Sequence, residues 1–286
     1  MEPVRTLWTS ERNGPPLLPE RLRNLYGGDL RFPNGPRDRP YVMANFVSTL
    51  DGVVSFSLPG QAGGGAISGS NEGDRFIMGL LRASADAVLV ASGTVAAASQ
   101  DHLWTAEFVY PDESAAYREY RRSVLKKPGH PLLAIVSGSG KVALDRAVFH
   151  TPGIKVLILT SMVGKAELDS AGAGKLASTE VRVCAATEGR IPPAAVLNIL
   201  KEEFGVSLIL HEGGPIFFAE FLVNEFIDEL FLTLAPQIAG RTEGRRRPSL
   251  VSRVEFTPAQ APWLKLAAVK GAGDFLYLRY RARETA

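Results

Sequence analysis

The sequence has a single cysteine, no long apolar run and almost no excess of charge of either sign. Cys184 alone cannot form an intrachain disulfide or a cysteine-based zinc site. The 32 Lys and Arg residues against 30 Asp and Glu leave a net charge of +2, which predicts no nucleic-acid partner. The longest apolar runs, such as Ala87 to Ala91, are far shorter than the roughly 18 residues of a membrane helix, so no membrane span is expected. The N-terminus lacks the apolar segment of a secretory signal, which predicts a cytoplasmic protein.

The glycine and histidine motifs of several common enzyme classes are absent as well. The sequence has no G-x-G-x-x-G, no G-x-x-x-x-G-K-[ST] and no G-x-S-x-G, so Rossmann, P-loop and α/β-hydrolase assignments lose their main support. Its four histidines follow none of the spacings that place two ligands on one metal ion. The sequence therefore predicts no metal site.

Short apolar runs alternate with helical patterns along most of the chain. The runs are rich in Val, Ile and Leu, which is typical of strands buried on both faces; they lie at 41–48, 87–92, 132–136, 155–160, 180–184, 206–210, 230–236 and 275–281. Helical patterns follow Asn71 and Pro192, run from Pro215 to Phe226, and are expected at 113–125. This predicts an α/β fold with a central, largely parallel mixed sheet, flanking helices and an antiparallel C-terminal edge.

The first 39 residues differ from the rest in composition. They are rich in Pro, Gly and Arg, and only one short helix is expected, near Pro19 to Tyr26. We predict an N-terminal arm on the surface at 1–39 and one domain at 40–286.

Polar residues follow the first of these strands, in the segment from Asn45 to Gly52. Asp51 would stand at the mouth of the sheet, where open α/β sheets bind their ligands. A carboxylate there could orient or protonate a nitrogen-rich ligand. An Asp-Gly turn without a ligand explains the same residues and is common, so both interpretations stand.

A glycine-rich loop and an arginine follow. The loop from Gly60 to Ser70 holds five glycines and is either a flap that approaches a ligand or a plain hairpin tip. Arg82 ends the next helix, where it could complement the helix dipole or bind an anionic ligand.

A second acid lies between the strand at 206–210 and the next helix, in the segment from His211 to Pro215. Gly213 and Gly214 permit a tight turn, and the helix N-terminus offers N–H groups to a phosphate. Glu212 is either an exposed turn residue or a ligand of an N–H-rich group. Together, a phosphate site and two acids at strand ends indicate a nucleotide cofactor beside a polar heterocycle.

Taken in order, these motifs resemble the reductase domain of the bifunctional riboflavin-biosynthesis deaminase/reductase family, whose fold is dihydrofolate-reductase-like. The matching segments, which cover about 40–280, are Ser48 to Gly52, Leu80 to Ala87, Gly93 to Val95, Glu212 to Pro215, and Ile227 to Gly240. The zinc-deaminase motifs of the bifunctional protein are missing. The resemblance therefore implies a stand-alone pyrimidine reductase.

The resemblance also implies NADPH as the cofactor and a role for individual residues. Asp51 and Glu212 would be catalytic, and Asn45, Arg82 and Glu212 would bind substrate. Val47 and Ser48 would line the nicotinamide. The remaining cofactor contacts would be Gly93, Thr94, Ser137, Thr160, Ser161, Gly213, Gly214, Pro215, Ile216, Phe217 and Phe218, with Ser137, Thr160 and Ser161 on the adenosine side.

The implied reaction is hydride transfer to the ribosyl C1′ of 5-amino-6-(5-phosphoribosylamino)uracil or the related diaminopyrimidinone, in a family that is usually homodimeric. Two departures bear on the substrate: the family's phosphate-binding Arg is missing from 96–103, and Asn45 replaces a common Lys. Arg118, Arg121 or Arg122 could substitute for the missing Arg or could be a solvated face. The alternatives are a dihydrofolate or pterin reductase of the same fold and a nucleotide-binding protein without hydride transfer.

Overall fold

Ten strands form one sheet in the computed structural model, which describes residues 1–11, 14–33, 35–58, 63–127, 129–187, 189–244 and 247–283. The strands are β1 (Arg5–Thr9), β2 (Tyr41–Ser48), β3 (Ala87–Ala91), β4 (Leu132–Ser137), β5 (Val156–Thr160), β6 (Thr179–Val183), β7 (Leu208–His211), β8 (Glu229–Leu234), β9 (Leu264–Ala272) and β10 (Phe275–Ala282). Their order across the sheet is β1-β9-β10-β8-β2-β7-β3-β4-β5-β6.

The seven strands from β8 to β6 are parallel, and the other three add an antiparallel edge. The central strands are buried on both faces, so they carry continuous Val, Ile and Leu runs. The eight strands predicted from these runs are confirmed, as is the antiparallel C-terminal edge. β9 was not predicted, because its Ala residues and two lysines interrupt the apolar pattern.

Helices cover both faces of the sheet. They are α1 (Glu20–Tyr26), α2 (Gly65–Ser68), α3 (Glu72–Ser84), α4 (Ser92–Ala97), α5 (Ala106–Val109), α6 (Ser114–Glu119), α7 (Met162–Ser170), α8 (Pro193–Glu202) and α9 (Pro215–Val223). Short 3₁₀ turns lie at Pro111–Glu113, Ala147–Phe149 and Ala173–Lys175, and α6 continues as a π-helical turn at Tyr120–Val124. The helix predicted at 113–125 is therefore a composite of three helical types.

Capping residues explain where the helices begin. The Asn71 side chain accepts a hydrogen bond from the backbone N–H of Asp74 (3.0 Å), and Pro193 and Pro215 occupy first helical turns, where no N–H partner is needed. One boundary differs from the predicted strand at 87–92: β3 ends at Ala91, and Ser92, Gly93 and Thr94 form the first turn of α4.

The two cores lie on opposite faces of the sheet. α1, α3 and α6 pack on one face, and α8 and α9 pack on the other. Alternate β3 residues point to each core: Val88 and Val90 to the first, Ala87 and Leu89 to the second. In the part of the chain that the structure describes, no helix is long and apolar enough to cross a membrane.

Residues 1–39 contribute to this architecture more than a surface arm would. The predicted short helix is confirmed as α1, but β1 also pairs with β9 at the edge of the sheet. Val4, Leu22 and Leu30 are buried in the first core. The prolines and glycines between these short elements hide their apolar pattern in the sequence.

Candidate active site

A cleft of about 930 Å³ opens at the carboxyl ends of the parallel strands. Val47 of β2, Ala91 of β3 and Val136 of β4 line it, as does Glu212 directly after β7. Its volume is near the upper end of the range of about 300–1,000 Å³ for small-molecule sites. The cleft is therefore large enough for a sizeable ligand at the position where open α/β sheets bind ligands.

The N-terminus of α9 borders the cleft with bare backbone. Gly214 is the N-cap residue and no side chain caps the helix, so N–H groups of its first turn have no partner within the helix. A Cβ atom on Gly214 would meet only Thr94 Oγ1, at 4.0 Å, and one on Gly93 would meet nothing within 4 Å. The Thr94 hydroxyl thus lies beside the bare backbone of Gly214, and the two could contact the same anion.

The other residues around the start of α9 either line the cleft or pack in the core. Gly213, Pro215, Ile216 and Phe217 line the cleft together with Gly214. A Cβ atom on Gly213 would lie 2.5 Å from Phe217 Cδ1, so only glycine fits there. Phe218 is outside the lining and packs edge-on against Phe46 in the core, with 4.9 Å between the ring centroids.

Three residues predicted on the adenosine side lie beneath the wall and not in it. Thr160 Oγ1 donates to the carbonyl of Ser137 (2.6 Å), and Ser161 Oγ caps α7 by accepting from the N–H of Gly164 (3.0 Å). Ser137 Oγ donates to the carbonyl of Lys141 (3.4 Å). Their hydroxyls hold two turns together and do not reach the cleft. Gly138, Gly189 and Arg190 form its lining at this end.

Val47 and Ser48, both predicted beside the nicotinamide, are placed differently. Val47 lines the cleft, and Gly64 of the glycine loop packs directly on it, since a Cβ atom on Gly64 would lie 2.7 Å from Val47 Cγ1. Ser48 is buried behind the wall, where its hydroxyl donates to the carbonyl of Thr49 (2.7 Å). Within the loop itself, residues 59–62, including Gly60, lie outside the described residues.

Arg82 and Glu212 are brought together as a buried ion pair. Arg82 Nε and Nη2 donate to the two carboxylate oxygens of Glu212 at 2.9 and 2.7 Å, and Arg82 is 2% exposed. Nη1 of Arg82 donates to the carbonyls of Leu103 and Thr105, both at 3.2 Å. Both side chains line the cleft, but most of their hydrogen-bonding capacity is used within the wall.

Asp51 is not part of the cleft lining. Its carboxylate accepts from Thr49 Oγ1 (2.6 Å) and from the N–H groups of Ala239 (3.0 Å) and Gly240 (2.8 Å). The Thr49 hydroxyl and these backbone groups hold the pKa of Asp51 well below its usual range. Of the two interpretations of Asp51, the structure supports the turn: an ionised carboxylate ties it to the 239–240 segment.

An acid that the motifs missed faces the cleft instead. Asp74, in the first turn of α3, is 4% exposed and lines the cleft together with Asn45, Arg82 and Glu212. Burial raises its pKa to about 6, an effect that the Thr233 hydroxyl partly offsets. Helical spacing puts Asp74 on the same buried face as Ile77 and Leu81. An acid among core positions is the sequence signal that could have revealed it.

The segment that departs from the family pattern forms an aromatic wall. Ser99, His102 and Trp104 line the cleft, and the His102 ring packs against Trp104 with 4.5 Å between centroids. Burial lowers the pKa of His102 to about 4, so its ring is neutral at pH 7. This stretch thus offers the cleft a neutral surface in place of a cation.

None of the three arginines considered as substitutes for the missing Arg lines the cleft. Arg118 and Arg122 are exposed, and Arg121 donates to the carbonyls of Ala83, Ala85 and Gly129. Arg75 does line the cleft; its Nε donates to the carbonyl of Val109 (2.8 Å). Among the described residues, no group of three or more His, Cys, Asp or Glu could hold a metal ion.

Sequence comparison finds a matching family and a relative of known activity. The family described as the RibD C-terminal domain matches residues 40–270. The 2,5-diamino-6-ribosylamino-4(3H)-pyrimidinone 5′-phosphate reductase of Archaeoglobus fulgidus is 28% identical over 218 residues, which cover 76% of this chain and 89% of that protein.

Solved structures of low identity share the fold. A pyrimidine reductase-like protein from Corynebacterium diphtheriae has a TM-score of 0.65 at 20% identity, covering 86% of this chain and 93% of its own. RibD of Acinetobacter baumannii has a TM-score of 0.62 at 20% identity, covering 86% of this chain. The chain spans only 59% of the length of that RibD. The expected dihydrofolate-reductase-like α/β fold is confirmed, and by its match over residues 40–270 the chain belongs to the RibD C-terminal domain family.

Proposed function

We propose that the protein is a cytoplasmic, NADPH-dependent reductase that acts on a phosphoribosylamino-pyrimidine in riboflavin biosynthesis. Family membership and the name of the Archaeoglobus relative support the reaction class. The observation that carries the proposal is the juxtaposition in one cleft of the uncapped α9 N-terminus at Gly214 with the polar cluster of Asn45, Asp74, Arg82 and Glu212. One part suits a dinucleotide phosphate, and the other suits a polar heterocycle.

NADPH fits the half of the cleft that runs from Val47 past Gly214 to Arg190. Gly93, Thr94 and the first turn of α9 would hold the diphosphate, because bare backbone allows close approach there. Arg190 is exposed and lines the far end, where a cation would pair with the 2′-phosphate. When bound, NADPH supplies the hydride, and the protein's task is to hold the two reactants together and exclude water.

The substrate fits the other half. Asn45 and the Arg82–Glu212 pair offer polar groups to the pyrimidine, and Arg75 is the cation available for a substrate phosphate. Dihydrofolate is a second candidate because Asp74 is a buried acid that could pair with a pteridine N–H edge. The two acids first considered for that role, Asp51 and Glu212, are engaged by the turn and by Arg82.

The direct test is NADPH oxidation by the purified protein, followed by absorbance, with the phosphoribosylamino-pyrimidine and dihydrofolate offered in parallel. We expect turnover of the pyrimidine. Turnover of dihydrofolate alone would favour the pterin alternative, and cofactor binding without turnover of either would favour a nucleotide-binding protein.

The cofactor half of the cleft has its own test. Gly214→Val should abolish NADPH binding, because its side chain would fill the space beside Thr94. Gly174→Val is the matched control, since Gly174 lies in a surface turn after α7 and a Cβ atom there meets nothing within 4 Å. Unchanged NADPH affinity in Gly214→Val would contradict the assignment of the diphosphate to α9.

A homodimer is part of the proposal. In register across the antiparallel edge lies an apolar row of Leu232 (β8), Leu278 (β10), Val269 (β9) and Trp8 (β1), with Leu276 beside it. Trp8 and Leu276 are 46% and 36% exposed. Such a contiguous apolar sheet face marks an interaction site, and a second copy of the chain would cover it. Sedimentation should show a dimer that Leu276→Glu dissociates and that Val163→Glu, on the distant exposed surface of α7, does not.

A further inference from the structure

We propose that Asp74 is the general acid of the reaction and donates its proton to the ribose ring oxygen of the substrate as the bond from that oxygen to C1′ breaks. The inference rests on the proposed function. It assigns a chemical role to a residue outside all the motifs that carry the family resemblance.

The placement of Asp74 is the first argument. Its side chain is 4% exposed and borders the cleft, in the half that also holds Asn45, Arg82 and Glu212. No ion pair involves Asp74 among the described residues; Arg82, about two helical turns further on, is already bound to Glu212. A buried carboxyl group without a cation is costly to keep ionised, so its retention in a ligand cleft points to a role in the chemistry.

The second argument is that the other candidate acids are less suited to donate a proton to the substrate. The Glu212 carboxylate accepts two hydrogen bonds from Arg82, so both of its oxygens are already engaged within the wall. Asp51 lies outside the cleft lining and is held as a carboxylate by the turn. His102 also lines the cleft, but it is neutral, with a pKa of about 4, and is a poor proton donor at pH 7. Glu220 of α9 also lines the cleft, and burial raises its pKa, but it interacts with Arg190 at the cofactor end. In the substrate half of the described cleft, Asp74 is therefore the acid that can carry a proton near neutrality.

The groups around Asp74 set its titration. Burial is the main cause that raises the pKa of Asp74, and the charge of Glu212, from the β7–α9 turn, adds to it. The hydroxyls of Thr233 (β8) and Ser68 (α2) lower it. Tyr277 of β10 faces the same region, and the charge of Asp74 contributes to the raised pKa of that phenol. Arg75 and Arg82 are the cations on its own helix, with Val109 and Glu212 as their respective partners. The resulting pKa of about 6 is near the value that suits an acid working close to neutral pH.

The proton and the electrons balance. As Asp74 gives its proton to the ring oxygen, the electron pair of the C1′–O bond moves to that oxygen, and the nitrogen lone pair forms a C1′=N bond. C1′ then receives the hydride, the π electrons return to nitrogen, and the product is a ribitylamine. C1′ is reduced, NADPH is oxidised to NADP⁺, and Asp74 regains a proton from solvent. One NADPH and one proton are consumed per turnover.

The experiment compares wild type, Asp74→Asn and the control Glu72→Gln in steady-state kinetics on the phosphoribosylamino-pyrimidine from pH 5 to pH 8. Glu72 is exposed on the same helical turn and is not part of the cleft. We expect Asp74→Asn to lower kcat by about 100-fold or more, with KM and the NADPH Kd little changed. The wild-type kcat should fall as the pH rises through about 6, since the acid must be protonated, and the variant should lose this dependence. Glu72→Gln should behave as wild type.

Thr233→Val gives an independent readout that a merely structural role for Asp74 would not produce. Removing one of the two hydroxyls that stabilise the carboxylate should raise the pKa of Asp74 and move the fall in kcat to higher pH. An unmoved pH profile in this variant would contradict the proposal.

The other outcomes separate the two proposals. Wild-type turnover with an Asp74→Asn variant of equal kcat and equal pH profile would overturn the general acid and leave the proposed function intact. A raised KM at unchanged kcat would assign Asp74 to substrate binding and also overturn it. No wild-type turnover of the pyrimidine would overturn the proposed function and, with it, the inference.

Discussion

Replacing Asp74 with asparagine should stabilise the fold at neutral and alkaline pH. Burial raises the pKa of Asp74 from 3.8 to about 6, so the folded state binds a proton more tightly than the unfolded chain does. At 1.36 kcal/mol per pKa unit, the ionised carboxylate costs the folded state about 3 kcal/mol. Asparagine resembles the protonated carboxyl in size and lacks its charge, and should avoid this cost.

The pH dependence of the stability difference between Asp74→Asn and wild type shows whether ionisation of Asp74 causes that difference. Below pH 3.8 the carboxyl is protonated in both states and no cost arises; the cost grows between pH 3.8 and about 6 and is complete above that. The stability gain of Asp74→Asn over wild type should therefore increase by up to about 3 kcal/mol between pH 4 and pH 8. If the side-chain amide introduced by Asp74→Asn lacks a hydrogen-bond partner, this lowers the stability of the variant by an amount that does not change with pH.

Urea unfolding of both proteins at several pH values, with Glu72→Gln as the control, measures this difference. Glu72 is exposed, so its variant should stay within about 0.5 kcal/mol of wild type throughout. A gain for Asp74→Asn that is equal at pH 4 and pH 8, or that declines with rising pH, would refute the reasoning. Because the assay needs no substrate, it tests the burial of Asp74 independently of catalysis.

Three further predictions concern other parts of the chain. Arg75→Gln should raise KM for the phosphorylated pyrimidine by about tenfold or more, because one charge-assisted hydrogen bond to the phosphate is lost. KM for the dephosphorylated analogue should stay unchanged. Arg279→Met should lower the free energy of unfolding by about 3–5 kcal/mol, because Glu229, 0% exposed, loses its buried partner; Arg281→Met, at a side chain 39% exposed, should cost clearly less in the same denaturation assay. The Cys184 thiol, buried and with its pKa raised to about 11, should resist alkylation at pH 8 in the native protein and react once the protein is unfolded in urea.

The regular part of the fold could be predicted because its signal is local. A strand buried on both faces appears in the sequence as a continuous run of Val, Ile and Leu. Pro193 and Pro215 mark the first turns of their helices, so these starts could be predicted from the sequence. β1 and β9 gave no such signal. β1 is exposed along its length, and β9 buries Lys270, whose ammonium group reaches Thr6 and Gly27, an arrangement that depends on contacts remote in sequence.

The candidate site also has a part that local sequence signals predict and a part that they do not. Glycines before a helix mark a bare backbone wherever they occur, so Gly214 could be proposed as a cofactor contact from its position alone, whereas Gly93 was proposed from the family resemblance. The side chain of an acid after a strand can turn either way. Asp51 turns toward the 239–240 backbone, nearly 190 residues later, and no local pattern encodes that. Asp74 was missed for the opposite reason, since it sits inside a helix where an acid in the first turn is ordinary.

The pairing of β1 with β9 has a consequence for how the protein is made. β1 lies at residues 5–9 and its partner at 264–272, so β1 has to wait until the strands between them have been synthesised before it can join the sheet. Until then β1 has no partner strand and presents unpaired backbone groups to other chains, and such edges template aggregation. Contacts this distant also form slowly, because a very large loop must close first. Closure of this edge should be a late step in folding, and a chaperone that shields β1 during synthesis would increase the yield of folded protein.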